Sequence, residues 1–204
     1  RGCTLTFEDG RELLDALAGL WCVNVGHGRE QIAQAVAEQM RAVAFYPSFF
    51  NTTTEPTIRL AGRLAALAPA RLNHALFRNS GSEANEGALK LVRLYGHKNG
   101  EPEAQTIVME RAWHGRTFSY HGVTLATPSL TGLPTCTDPF DLPLPGFLQV
   151  PGPHAYGSGK SPADYASWCL EETQRTIARE GAATIAACFV EPVQGAGGVI
   201  VPPD

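Results

Sequence analysis

The segment Ala75-Leu76-Phe77-Arg78-Asn79-Ser80-Gly81-Ser82-Glu83 constrains this chain more than any other. Its apolar start reads as a strand, Ser80-Gly81-Ser82 as a tight turn of small residues, and the residues from Glu83 onward as a long helix. Strand, small-residue turn and helix together make an anion site. The free N–H groups at a helix N-terminus point outward, and the helix dipole favours negative charge there. Gly81 lets the backbone come close to a ligand, and the hydroxyls of Ser80 and Ser82 add donors. A phosphate group is expected at this turn. An ordinary N-capped helix gives the same local pattern, because Ser is a preferred cap and an acid follows in the first turn. The reading therefore turns on the rest of the chain.

Strands and helices alternate along it. Thr4-Leu5-Thr6-Phe7 reads as a strand, Glu8-Asp9-Gly10 as a turn, and Leu13-Leu14-Asp15-Ala16-Leu17 as the next apolar run. Ile32, Ala33, Val36, Met40 and Val43 mark the buried face of a helix. Phe45, Tyr46, Pro47, Phe49 and Phe50 form an aromatic loop. Pro56 opens a further helix that Pro69 stops. The helix after the phosphate turn runs to about His97. Thr106-Ile107-Val108-Met109 and Ala186-Ala187-Cys188-Phe189-Val190 are continuous apolar runs, as in the buried strands of a parallel sheet. Residues 123–162 are rich in Pro and Gly, with little regular structure beyond a short strand near Phe147–Val150. A stretch of that length is usually functional or an interface. Ser161-Pro162-Ala163-Asp164 reads as a cap, a Pro at N1 and an acid, opening a helix to about Glu180. The alternation predicts an α/β fold with a mainly parallel sheet flanked by helices. Ligands in such sheets bind at the carboxyl ends of the strands. Ser80-Gly81-Ser82, the 111–115 loop and Glu191 should therefore converge.

Composition narrows the function classes. With 44% apolar and 18% charged residues, the chain reads as an ordinary globular protein. The net charge of −4, without a block of like charge, argues against a nucleic-acid surface or a polybasic membrane anchor. No apolar run approaches the length of a membrane span, and no leader is expected from the Arg1-Gly2-Cys3-Thr4 start. Cys3, Cys22, Cys136, Cys169 and Cys188 form no C-x-x-C pair, which fits reduced thiols and a cytoplasmic location. A zinc site is not expected, since no H-x-x-x-H spacing accompanies them.

Two more segments carry chemistry. Trp113-His114-Gly115 follows the strand ending near Glu110, and an aromatic residue there can stack on a flat heteroaromatic ring. Core packing suits a Trp equally well. Glu191-Pro192-Val193-Gln194-Gly195-Ala196-Gly197-Gly198 puts an acid at the end of a buried strand, then glycines that let the backbone pass close to a ligand. A plain glycine turn reads the same. No dinucleotide fingerprint is present, because no helix is expected to begin there.

Taken together and in order, these segments resemble the class III pyridoxal-phosphate-dependent aminotransferases of fold type I, over nearly the whole chain. Gly10 and Asp15 resemble the family's early strand pair. Leu20-Trp21-Cys22-Val23-Asn24-Val25-Gly26-His27-Gly28 is similar to the ω-transaminase branch. Residues 79–90 match the phosphate loop, Trp113-His114-Gly115 the ring-stacking loop, and residues 191–198 the acid-and-glycine turn. The resemblance implies that Ser80, Gly81 and Ser82 bind the phosphate of pyridoxal 5'-phosphate. It implies that Trp113 stacks on the pyridine ring, where the family more often has Tyr or Phe, and that His114 and Gly115 shape that loop. Glu191 would sit behind the ring, near the acid that pairs with the pyridine nitrogen. Trp21 and Tyr46, with Phe49 and Phe50, resemble substrate-pocket aromatics, and core or dimer contacts suit Phe49 and Phe50 equally. Residues 1–50 would be an N-terminal segment of the small domain, and 51–204 the front part of the large cofactor-binding domain.

The implied reaction moves an amino group from an amine or ω-amino acid to a 2-oxo acid such as pyruvate, in a homodimer or higher homo-oligomer. The family's D-E-V-x-x-G motif and its Schiff-base lysine are not found among these residues. Lys90, Lys98 and Lys160 are the only lysines, and none fits that position. The chain is therefore expected to be a fragment, incomplete at both ends and without turnover by itself. Other readings stay open: an aminomutase, racemase or decarboxylase-type relative, or a non-catalytic binding or dimerising protein. A serine hydrolase is not indicated, since no G-x-S-x-G elbow surrounds Ser82.

Overall fold

The computed structural model describes residues 1–48, 50–101, 104–115 and 125–203. Phe49 of the aromatic loop, and residues 123 and 124 of the Pro/Gly-rich stretch, lie outside the described residues. The backbone divides into two compact units, Arg1–Ala75 and Leu76–Asp204.

In the first unit, β1 (Thr4–Thr6) pairs antiparallel with β2 (Glu12–Leu14), in the register Thr4↔Leu14, Leu5↔Leu13 and Thr6↔Glu12. Asp15 then organises the chain that follows. Its carboxylate accepts from Leu17 N at 3.2 Å and Gly19 N at 2.9 Å, and pairs with His27 Nε2 at 2.8 Å. The His27 contact is the first cause holding the Asp15 carboxyl below its usual range. These bonds shape the helical turn α1 (Ala18–Trp21), in which Gly19 and Leu20 are left-handed. Two amphipathic helices complete the unit, α2 (Glu30–Val43) and α3 (Glu55–Leu67), the latter with Pro in its first turn as the sequence predicts. Their apolar stripes are not covered: Ile32, Val36 and Met40 on α2, and Ile58, Leu60 and Leu64 on α3, are all exposed.

The second unit opens with α4 (Gly81–Lys98). Ser80 Oγ accepts from Glu83 N at 3.2 Å, and Glu83 Oε2 accepts from Asn79 N at 2.9 Å. Ser80 is thus the N-cap, and the Glu83 side chain reaches back to the N–H of the residue before it, which together fix where the helix starts. A three-stranded parallel sheet follows, in the order β4 (Phe147–Val150), β3 (Gln105–Met109), β5 (Ile185–Phe189). The register runs from Thr106↔Phe147 to Met109↔Val150 on one side. On the other it runs from Gln105↔Ile185 to Val108↔Phe189, with one shift after Gln105. The central strand is covered on both faces, so Ile107 and Val108 are buried. Leu89 of α4 packs with Val108 and Leu130, and Ala126, Phe147 and Phe189 border that cluster. This contact seats α4 on the sheet. Between β3 and β4 the described residues include the four-residue helical turns α5 (Ala126–Ser129) and α6 (Pro134–Thr137), regular structure that the sequence did not announce. Helix α7 (Pro162–Glu180) has Ser161 Oγ accepting from Asp164 N at 3.1 Å, the cap expected from the sequence.

One expected element is absent. Ala75-Leu76-Phe77 pairs with no strand among the described residues, and Leu76 is 61% exposed. An apolar run becomes a strand only when a neighbour satisfies its N–H and C=O groups, and no described strand lies alongside it.

Candidate functional site

The chain leaves β3 through a sharp turn. Arg111 adopts a left-handed backbone (φ 63°), uncommon for a residue with a side chain and frequent at functional sites. The turn is clamped from both directions: Arg111 N donates to Gly132 O at 2.7 Å, and Gly132 N donates to Ala112 O at 2.9 Å. Only glycine fits at position 132, because a Cβ there would stand 2.2 Å from Met109 O. The loop Trp113-His114-Gly115 thus leaves the sheet in a fixed direction.

Side chains from three elements then hold that loop. Glu191, just past β5, accepts from Trp113 N through Oε2 at 2.6 Å, while its Oε1 accepts from Gly195 N at 3.4 Å. Asn85 of α4 donates from Nδ2 to His114 O at 2.5 Å. Thr131, after α5, accepts from His114 N at 3.2 Å and donates to Gly115 O at 3.1 Å. The far end of the loop rests on the first turn of α4: a Cβ on Gly115 would lie 2.6 Å from Ser82 Oγ and 2.9 Å from Thr127 Cγ2. Thr127 ties the same turn down. Its Oγ1 lies 3.2 Å from Ser82 O and 2.8 Å from Glu86 Oε1, and its N–H donates to Glu86 Oε1 at 2.9 Å.

His114 is buried, with its ring edge-on to Phe189 at 5.9 Å and 78°. Its Nε2 has no hydrogen-bond partner among the described residues. Burial pushes the imidazole below its ordinary value of 6.5, and the Glu191 carboxylate opposes that shift. Gln194 is fully buried behind the turn, with Nε2 donating to Glu110 O at 2.9 Å.

Ser80, Gly81, Ser82, Trp113, His114, Gly115 and Glu191 thus gather near the carboxyl end of one sheet: residues 113–115 and Glu191 follow parallel strands, as the topology predicts, while residues 80–82 arrive with α4 and no described strand before them. Glu191 is placed there as expected, but its carboxylate is occupied by two backbone N–H groups. Trp21, Tyr46 and Phe50 belong to the first unit, all more than half exposed. Asn85, Thr127 and Thr131 were not singled out in the sequence, although they bind the loop and the turn together.

A phosphate-bearing flat ring fits this arrangement. The first N–H groups of α4 have no partner within a helix, and a Cβ built on Gly81 meets nothing within 4 Å, so the turn is open to a ligand. Beside it, the half-buried Trp113 offers an aromatic face on a fixed backbone. Among the described residues no group of three or more His, Cys, Asp or Glu is placed to hold a metal ion, and no helix is long and apolar enough to cross a membrane.

Known proteins carry the same arrangement of chain. The family described as Aminotransferase class-III matches residues 1–204. A putrescine–pyruvate aminotransferase of Pseudomonas aeruginosa is 43% identical over 199 residues, covering 97% of this chain and 42% of the relative. A mitochondrial gamma-aminobutyrate transaminase of Oryza sativa subsp. indica is 41% identical, over 96% of this chain and 37% of the relative. An (S)-enantioselective omega-transaminase from Thermomicrobium roseum superimposes with a TM-score of 0.89 at 42% identity, over 100% of this chain and 44% of that one. The omega transaminase of Pseudomonas jessenii in complex with PMP gives 0.91 at 38% identity, with the same coverage. The chain spans less than half the length of these relatives. With a match over its whole length and this sheet and turn in common, the chain belongs to the class III aminotransferases.

Proposed function

We propose that the protein carrying this chain is a pyridoxal-phosphate-dependent transaminase that moves an amino group from an amine or ω-amino acid to a 2-oxo acid such as pyruvate. The observation that supports this most is the joining of two segments at one site. Gly115 of the ring loop lies against Ser82 of the α4 turn, and Glu191 holds Trp113 beside them. The named activities of the relatives, on putrescine with pyruvate and on gamma-aminobutyrate, support the same substrate class.

In this reading the N–H groups of Gly81 and Ser82, with the Ser82 hydroxyl, bind the phosphate at the positive end of α4. The Trp113 indole covers one face of the ring and keeps water from it. Glu191 fixes the height of the indole through the Trp113 N–H. His114, neutral in its buried place, braces the loop against Phe189. Trp21 and Tyr46 stay assigned to the substrate pocket as a proposal. When bound, the cofactor supplies an electron sink for the carbon that bears the amino group. Lys90 and Lys98 lie on α4, one on its outer face and one at its last turn, and Lys160 lies in the turn before α7. None of them is given the covalent role.

We keep the division at residue 50 between a small-domain segment and the cofactor-binding domain as part of this proposal. A homodimer is proposed on the uncovered apolar stripes of α2 and α3, and a cytoplasmic location on the five free cysteines. The test is an amino-transfer assay of the full-length protein with putrescine or 4-aminobutyrate and pyruvate, following alanine formation. Alanine formed only with added donor is the expected result. No alanine from any ω-amine or ω-amino acid donor contradicts the reading.

A further inference from the structure

Four polar groups of the ring-loop backbone are held by side chains: Trp113 N–H, His114 N–H, His114 C=O and Gly115 C=O. The loop is thus set in place by residues distant in sequence. Two of the anchors reach back to the anion turn. Asn85 sits on α4, one turn beyond Ser82. Thr131 is fully buried and follows the segment whose Thr127 bonds Ser82 O and Glu86. The N–H and C=O of the neighbouring Gly132 clamp the start of the same loop.

We propose that Thr131 and Asn85 are positioning residues that fix the ring-stacking loop at one height above the α4 N-terminus, so that phosphate and ring are bound together as one rigid unit. This rests on the cofactor reading above. Thr131 acts through two bonds on consecutive residues, one accepted from the His114 N–H and one donated to the Gly115 carbonyl, so it holds the peptides on either side of His114–Gly115, while Asn85 holds the His114 carbonyl between them. Removing the Thr131 hydroxyl frees the His114 N–H and the Gly115 carbonyl while leaving the first turn of α4 with its own cap, so ring stacking is lost and phosphate binding is kept. An arrangement that served only to fill the core would have no such separation.

The experiment uses the full-length apoprotein with two probes: pyridoxine 5'-phosphate, which has the ring and phosphate but no aldehyde, and inorganic phosphate as a competing ligand. Thr131→Val, which removes both of its bonds to the loop, is expected to weaken pyridoxine 5'-phosphate binding by about tenfold or more, with inorganic phosphate binding unchanged. Thr131→Ser, which keeps the hydroxyl, is expected to bind like the wild type. Asn85→Ala tests the second anchor independently, should Thr131→Val not fold, and is expected to show the same separation of the two probes. Unchanged binding of both probes in the variants, or parallel loss of both, overturns the inference. A wild-type apoprotein that binds neither probe overturns the cofactor reading itself, and with it this inference.

Discussion

The Glu191 carboxylate accepts a hydrogen bond at 2.6 Å from the backbone N–H of Trp113, 78 residues earlier in the chain. The acid at the end of one strand therefore sets the position of the aromatic residue beyond the neighbouring strand. A charged acceptor on a backbone N–H contributes about 1.5–3 kcal/mol, and losing it leaves a partly buried N–H without a partner. Glu191→Ala should weaken cofactor retention by about tenfold or more. Glu191→Gln, which keeps an oxygen acceptor, should lose less. Dialysis against buffer, followed by the absorbance of the remaining cofactor, reads both.

Gly115→Ala is expected to be more disruptive than its single methyl suggests. Position 115 has φ 114°, and the new Cβ would meet Ser82 Oγ at 2.6 Å. Both the backbone and the contact then resist the substitution, at a cost of about 1–3 kcal/mol from the backbone alone. A lowered melting temperature together with weaker cofactor binding is the expected outcome.

Ser82→Ala should separate the phosphate from the ring. The hydroxyl lost is one assigned to the phosphate, while the capping bond that Glu83 N donates to Ser80 Oγ is untouched. Binding of pyridoxal 5'-phosphate should fall several-fold, by the ~1 kcal/mol of one hydrogen bond. Binding of pyridoxal, which lacks the phosphate, should stay the same in an affinity titration of both compounds.

The buried His114 makes stability depend on pH. Its folded value lies below 6.5 because burial disfavours the charged form. Above 6.5 the group is neutral in both states and its full contribution is present. As the pH falls below that value, the unfolded chain takes up the proton first, and stability is lost until the folded group also protonates. Between roughly pH 7.5 and pH 5.5, His114→Gln should therefore lose less melting temperature than the wild type does. Thermal scans of the two proteins at both pH values check the difference.

Helices and strands with strong local signals were legible in the sequence. The cap at Ser80 and the cap at Ser161 are local hydrogen bonds between residues close in sequence, and the sequence pattern offered both. The convergence of Trp113 and Glu191 followed from topology, since parallel strands bring their carboxyl ends to one side, whereas Ser82 joins them on α4, with no described strand leading into it. The apolar run Ala75-Leu76-Phe77 forms no strand among the described residues, because pairing depends on a neighbour that no local pattern reveals. Asn85, Thr127 and Thr131 went unseen for a related reason. Their bonds run to residues 16 to 45 positions away, and an Asn in a helix or a Thr in a Pro-rich stretch looks unremarkable by itself.

A crystal structure of the full-length protein with pyridoxal 5'-phosphate tests the central claim most directly. The account predicts phosphate oxygens within hydrogen-bond distance of the Gly81 and Ser82 N–H groups, the Trp113 indole lying parallel to the pyridine ring, and Glu191 still bonded to the Trp113 N–H. A phosphate bound away from the α4 N-terminus, or a ring that Trp113 does not cover, would contradict it.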